Sequence, residues 1–235
     1  MRIIKLQNFP SINKPIFAKT GLMRIIVIAN VEQQEEIASK NKNADADFTF
    51  VQSISKFNAD DGYDAVFYLN ENLENIEIKN FNGKPVFINS VVETLEQKEL
   101  PPNFSRINGW AGFLKRQIWE VASNDKDAVT TIFKSLNWNV VFVKDIPGLV
   151  AARVISMIIN EAFYALAEGI STKEEIDLAM KMGTNYPCGP FEWLNKIGIE
   201  NVYHLLKILS VNDKRYIVSP LLEKNYFELV SQEKT

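Results

Sequence analysis

The stretch over residues 145–198, DIPGLVAARVISMIINEAFYALAEGISTKEEIDLAMKMGTNYPCGPFEWLNKIG, constrains the fold more than any other part of the chain. Asp145 suits a helix cap and Pro147 a first helical turn. Ile155, Ile158, Ile159, Ala162, Phe163 and Leu166 then recur at helical spacing, which predicts a long helix that Gly169 ends. Ser171 with Glu174 reads as a capping box for a second helix, with Ile176, Ala179 and Met180 inward and a stop at Gly183. A turn with Pro187, Gly189 and Pro190 leads to a third helix bearing Phe191, Trp193 and Leu194. This pattern is a compact all-α unit. Its long helix also carries Leu149, Val150, Val154, Met157 and Ala165, so it is apolar on more than one face and must be covered on several sides. That argues for a homodimer through this unit, with Met157 and the aromatic turn 186–193 at the contact.

Upstream the pattern changes. Residues 1–22 read as an extension with Pro10 and Pro15, able to add an edge strand or pack on the surface. MRIIVIAN then opens a buried strand, and residues 31–40 read as a polar helix. Residues 47–52 alternate like a strand, while 64–69 and 84–89 are short apolar runs between turn residues. A short helix is expected over 91–99, strands over 106–113 and 117–122, an amphipathic helix over 125–136 and a last strand over 139–144. Strands alternating with helices predict an α/β layer with a parallel sheet. The boundary between the two units falls near Asp145, giving domains 1–144 and 145–235.

A dinucleotide on such a sheet normally rests on a glycine-rich turn after the first strand. Here that turn reads Ala29-Asn30-Val31-Glu32-Gln33-Gln34, without glycine, with a branched side chain and with an acid where phosphates are expected. The second strand ends Phe50-Val51-Gln52-Ser53, without the acid that would hold a ribose. The expectation is a sheet that takes no cofactor.

DIPG, the NEA at 160–162, the GTNYPCGPFEW at 183–193 and the RYIVSPLL at 215–222 together resemble the C-terminal domain of the 3-hydroxyacyl-CoA dehydrogenases. The resemblance implies a reduced Rossmann-like parallel sheet followed by an all-α, 6-phosphogluconate-dehydrogenase-like domain that dimerises. It also implies where catalytic groups should stand. Oxidising a 3-hydroxyacyl thioester needs a general base, which the family supplies as a histidine oriented by a glutamate on the next strand. Ala111 stands at the histidine's place, and Glu120 is the retained glutamate, now vestigial. Val91 stands for the family's serine and Ala152 for its asparagine, while Arg153 is kept. What the resemblance implies is therefore a non-catalytic homologue of fatty-acid metabolism, structural, regulatory or acyl-CoA-binding. The alternative is an active oxidoreductase with rearranged sites.

Composition removes other classes. A net charge of −3 gives no bulk attraction to nucleic acid. One cysteine and one histidine leave no multi-ligand metal site built on those residues. No apolar run spans a bilayer and no leader is recognised, so a cytoplasmic protein is the expectation. His204 falls off its helix's apolar stripe and reads as solvated, and Cys188 reads as a small buried hydrophobe. The four tryptophans read as core or interface. Lys115-Arg116 reads as a solvated turn, its functional alternative being a coenzyme A phosphate contact.

Overall fold

A computed structural model describes residues 21–40, 46–56, 62–70 and 81–232; nearly all of the expected extension lies outside these. Among the described residues, seven strands form one sheet: β1 (Met23–Ile28), β2 (Ala46–Val51), β3 (Ala65–Tyr68), β4 (Val86–Asn89), β5 (Phe104–Ile107), β6 (Ile118–Ser123) and β7 (Asn139–Phe142). Their order is β2-β1-β3-β4-β5-β6-β7, and every pair is parallel except β5–β6. The winding reverses beside β1, which puts the sheet's switch point between β1 and β3, where such folds gather their ligands. This is the expected parallel-dominated, Rossmann-like layer.

β3 and β4 are buried along their whole length because both faces are covered, which is why they read as unbroken apolar runs rather than alternating ones. On one face α1 (Val31–Lys40) and α2 (Lys126–Ser135) lay Ile37, Val129, Ile132 and Phe133 over Phe67, Phe87, Trp119 and Trp138. Phe67 and Phe87 stack with ring centroids 4.6 Å apart, and Trp119 and Trp138 at 4.9 Å. The other face holds Ile28, Val66, Ile88 and Phe104 under Tyr63, Phe81 and Leu95.

The helical half comprises α3 (Ala151–Ala167), α4 (Lys173–Thr184), α5 (Pro190–Ile197), α6 (Ile199–Ser210) and α7 (Pro220–Gln232). Ile155, Ile159 and Phe163 of α3 meet Phe191, Trp193, Leu205, Leu206 and Leu222. Each such buried side chain contributes about 1.5–3 kcal/mol of apolar burial. Val91, Trp110 and Phe113 join this core from loops of the sheet half, so the strand ends are built into the helical packing.

Several expectations need correction. Residues 91–99 form turns rather than a helix: Thr94 and Gln97 exchange side-chain hydrogen bonds locally, and Glu99 adopts φ 51°. The strand expected over 106–113 ends at Ile107, because Gly109 is drawn to Asn89 and Gly112 takes φ 87°. Asp145 does not cap α3; it binds Arg106 and the Leu95 amide instead. The box that opens α4 is Thr172 with Glu175, one residue beyond the expected pair. Ala179 is exposed and Asp177 is the buried residue of that helix. In the aromatic turn, Phe191 and Trp193 are buried within the chain, while Tyr186 is half-buried and Pro187 exposed.

Candidate functional site

Where dinucleotide-binding sheets open a crevice, this chain places a set of interlocked polar side chains. Asn30 opens α1 by accepting from the Gln33 amide at 2.9 Å, while the Asn30 amide donates to Gln33 Oε1 at 3.2 Å. That exchange satisfies N–H groups which in a phosphate cradle would face the ligand. The Gln33 amide group then donates to Leu69 O at 3.2 Å, past the end of β3, and to Gly109 O at 3.0 Å, past the end of β5. Asn89, closing β4, donates to Leu69 O at 3.3 Å and accepts from the Gly109 amide at 3.0 Å. A Cβ on Gly109 would lie 2.7 Å from Asn89 Cγ, so only glycine admits this contact.

The clamp continues down α1. Glu36 accepts from the amides of Gly112 and, at 3.0 Å, Leu114, and Lys40 donates to Arg116 O. Gln33, Glu36 and Lys40 share one helix face by their spacing of three and four. Together they hold the loop 109–116 against α1. The residues of the β1–α1 turn therefore do not fit a pyrophosphate: the turn has no glycine and α1 already caps itself.

Glu120 has a visible role. Its carboxylate accepts from the Val150 amide at 2.7 Å and the Ala151 amide at 3.0 Å. It thus caps the first turn of α3, whose own N-cap, Val150, supplies no side-chain acceptor. Ala111, expected at the base position, is half-buried in the clamped loop, and Ala152 is buried in the helical core. Arg153, the kept residue, donates to Pro147 O at 2.7 Å. A void of about 10 Å³, room for about one water, lies between Glu120 and Asn108, whose side-chain nitrogen is buried without a partner. His204 is exposed, 3.3 Å from the Tyr226 hydroxyl. Cys188 is a half-buried free thiol.

A cavity of about 160 Å³ remains between β4's end and α6, lined by Asn89, Ser90, Glu93, Lys98, Trp110 and Asn201 among others. Lys98 and Glu93 form an ion pair at it, and Ser90 Oγ donates to Glu93 O at 2.9 Å. Reading the sequence missed these residues. The available signal was Asn89-Ser90 ending a buried strand, one residue before the position searched for a serine. Beneath the cavity, Arg106 is wholly buried. It donates to Ser90 O at 2.7 Å, to Val91 O at 3.0 Å and to Asp145 Oδ1. Burial pulls the guanidinium's pKa down while Asp145 pulls it up.

Comparison with known proteins follows the division of the chain. Residues 148–234 match the family described as 3-hydroxyacyl-CoA dehydrogenase, C-terminal domain. A 3-hydroxybutyryl-CoA dehydrogenase of Clostridioides difficile is 40% identical over 100 residues, which is 42% of this chain and 36% of the relative. The aligned stretch thus spans about a third of that relative's length. Over most of the chain the fold is similar to that of (S)-3-hydroxybutyryl-CoA dehydrogenase PaaH1 from Ralstonia eutropha, with TM-score 0.63, 20% identity and coverage of 87% and 93% of the two chains. A pyridine-carboxylic-acid dehydrogenase described as an NAD+ dependent dismutase gives TM-score 0.58 at 18% identity, covering 88% and 87%. These likenesses overturn the expectation that no cofactor belongs to this chain: its relatives and structural neighbours are dehydrogenases, and one of them is NAD+ dependent by description. That expectation rested on the turn after β1 and the end of β2, whereas the crevice of such a fold is built by several strand ends. No helix among the described residues is long and apolar enough to cross a membrane.

Proposed function

We propose that this chain, whose residues 148–234 match the C-terminal domain of the 3-hydroxyacyl-CoA dehydrogenases, is a dimeric, acyl-thioester-binding member of that family that does not itself carry out the dehydrogenation. One observation carries the reading: Glu120 accepts from the Val150 and Ala151 amides at the start of α3, and residue 111, where the resemblance puts a base, is alanine. Both oxygens of this carboxylate serve the α3 backbone, and the chain's one histidine, His204, lies by Tyr226 instead. The acyl end belongs in the cavity of about 160 Å³ between β4 and α6, where the Asn89, Ser90 and Asn201 side chains offer polar groups and Trp110 an apolar wall. The size suits a short acyl head with the rest of the thioester outside.

The proposed dimer uses the helical half. Leu178 and Met182, one turn apart on α4, are 57% and 80% exposed, with Ile170 nearby in sequence at 69%. Exposed apolar groups of this size are costly to leave wet, and a twofold contact is the commonest way to cover them.

Titration with acetoacetyl-CoA, paired with an NADH oxidation assay on the same protein, tests the proposal. Thioester binding without turnover is the expected result, and turnover above the uncatalysed rate overturns it. NADH binding measured separately reports whether the relatives' dinucleotide is held without a glycine turn. A second reading keeps catalysis and rests on the Glu93–Lys98 pair at the cavity. It requires any turnover to vanish in Glu93→Gln and Lys98→Met.

A further inference from the structure

A second cavity, of about 360 Å³, shares no lining residue with the one between β4 and α6. It lies where the end of α1, the loop before β6 and the turn between α2 and β7 come together. Lys40, Lys115, Gln117, Asn137, Trp138 and Asn139 form most of its wall. Neither lysine makes an ion pair among the described residues.

Lys40 is the unusual member. It is half-buried, and its ammonium sits 5.4 Å from the ring centroids of both Trp119 and Trp138. Its one hydrogen-bond acceptor among the described residues is the Arg116 carbonyl. Two indole faces and a carbonyl attract a cation but do not neutralise it. Burial accordingly pulls its pKa below the ordinary lysine value. An ammonium partly removed from water without a counter-charge is stabilised by any anion that can reach it. Lys115 adds a second, exposed positive charge at the rim. Of the remaining polar side chains, Ser39 donates to Glu36 O and the others are amides: Gln117, Asn139 and Asn137, the last held at φ 54°. An amide both donates and accepts, which matches hydroxyl groups rather than a second anion. Trp138, stacked on Trp119 and 6% exposed, adds a small apolar patch to the wall.

We propose that this cavity is a binding site for a small phosphorylated sugar, with the phosphate on Lys40 and Lys115 and the hydroxyls on Gln117, Asn137 and Asn139. The site stands apart from the acyl-thioester reading and survives its failure. Calorimetric titration of the full chain with ribose 5-phosphate, and separately with inorganic phosphate, tests it. Ribose 5-phosphate is expected to bind, with phosphate alone at least tenfold weaker. Lys115→Met, at an exposed position, and Lys40→Met, which keeps an apolar stem against the indoles, are each expected to weaken sugar-phosphate binding at least tenfold. Near-ultraviolet circular dichroism checks the fold of both variants; if Lys40→Met does not fold, Lys115→Met decides. No binding of ribose 5-phosphate overturns the proposal, as does equal binding of inorganic phosphate, or binding unchanged in Lys115→Met.

Discussion

The two halves of the molecule use polar residues in opposite ways. In the helical half, the motif residues that carry the family likeness fasten helices to one another. Asn160 accepts from the Ser219 amide at 2.8 Å and donates to Ile217 O at 2.9 Å, pinning the segment before α7 onto α3. Asp177 accepts from the amides of Phe191 and Glu192, capping α5, and Gly189 passes so close that a Cβ would lie 2.4 Å from the Asp177 Cα. In the sheet half, polar side chains close the strand ends, where the relatives' fold opens a crevice. Gln33, Glu36, Asn89 and Arg106 all bond to loop backbone there. The family match covers residues 148–234, where residues pack the fold, and does not extend to the strand ends. The difference teaches that sequence resemblance in this chain reports architecture more directly than chemistry.

The strongest way to break that comparison is at the joint between the halves. Arg106→Met removes three contacts at once and leaves Asp145, its side chain 27% exposed, with the Leu95 amide. Breaking a buried pair from one side costs about 3–5 kcal/mol, and the exposure of Asp145 puts the loss at the low end of that range. The urea midpoint is expected to fall accordingly, with the slope unchanged. A loss under about 1 kcal/mol would mean that Arg106 does not hold the strand ends to the helical core.

The clamp along α1 comes next. Gln33→Ala leaves the Gly109 carbonyl without that donor in a buried setting, while Leu69 O keeps Asn89. The expected cost is about 1–3 kcal/mol. Hydrogen exchange should rise in residues 109–116 more than in the helical half. Equal rises in both halves would show that the clamp is not local.

Glu120→Ala sharpens the contrast from the catalytic side. As the cap of α3 its removal should cost about 1 kcal/mol, within the range for lost caps. Thioester binding should be unchanged. If instead stability holds and binding or any turnover disappears, the carboxylate serves chemistry rather than the helix.

Most of the architecture was legible in the residues. Val31–Lys40 declared its helix by polar composition between two apolar strands, and the runs at 64–69 and 84–89 declared strands covered on both faces. What escaped depended on partners distant in sequence. Glu120 and Val150 are 30 residues apart, and Gln33 and Gly109 are 76 apart. No local pattern states that Asp145 will turn from α3 to Arg106, because that choice follows from burying a guanidinium 39 residues away. The site was legible only as losses, at Ala111, Val91 and Ala152. The cavity residues Ser90, Glu93 and Lys98 come together only in the fold, where the end of β4 meets α6.

The smallest effect expected is at the chain's single histidine. His204 lies on α6, whose buried residues are Val202, Tyr203, Leu205, Leu206 and Leu209. The exposed imidazole lies edge-on to the buried Tyr203 and the half-buried Tyr226, its ring 5.6 Å and 5.5 Å from theirs by centroid. Its hydrogen bond to Tyr226 OH, at 3.3 Å between exposed groups, competes with water on both sides. Tyr203 and Tyr226 stack on each other at 4.0 Å without it. His204→Ala is therefore expected to change stability by no more than about 0.5 kcal/mol. Thioester binding should not move, because His204 does not line the cavity between β4 and α6. Were binding to fall while the melting temperature held, the ligand would have to reach across α6 to a face that the helical half leaves in solvent, and the placement of the acyl site at β4 would be wrong.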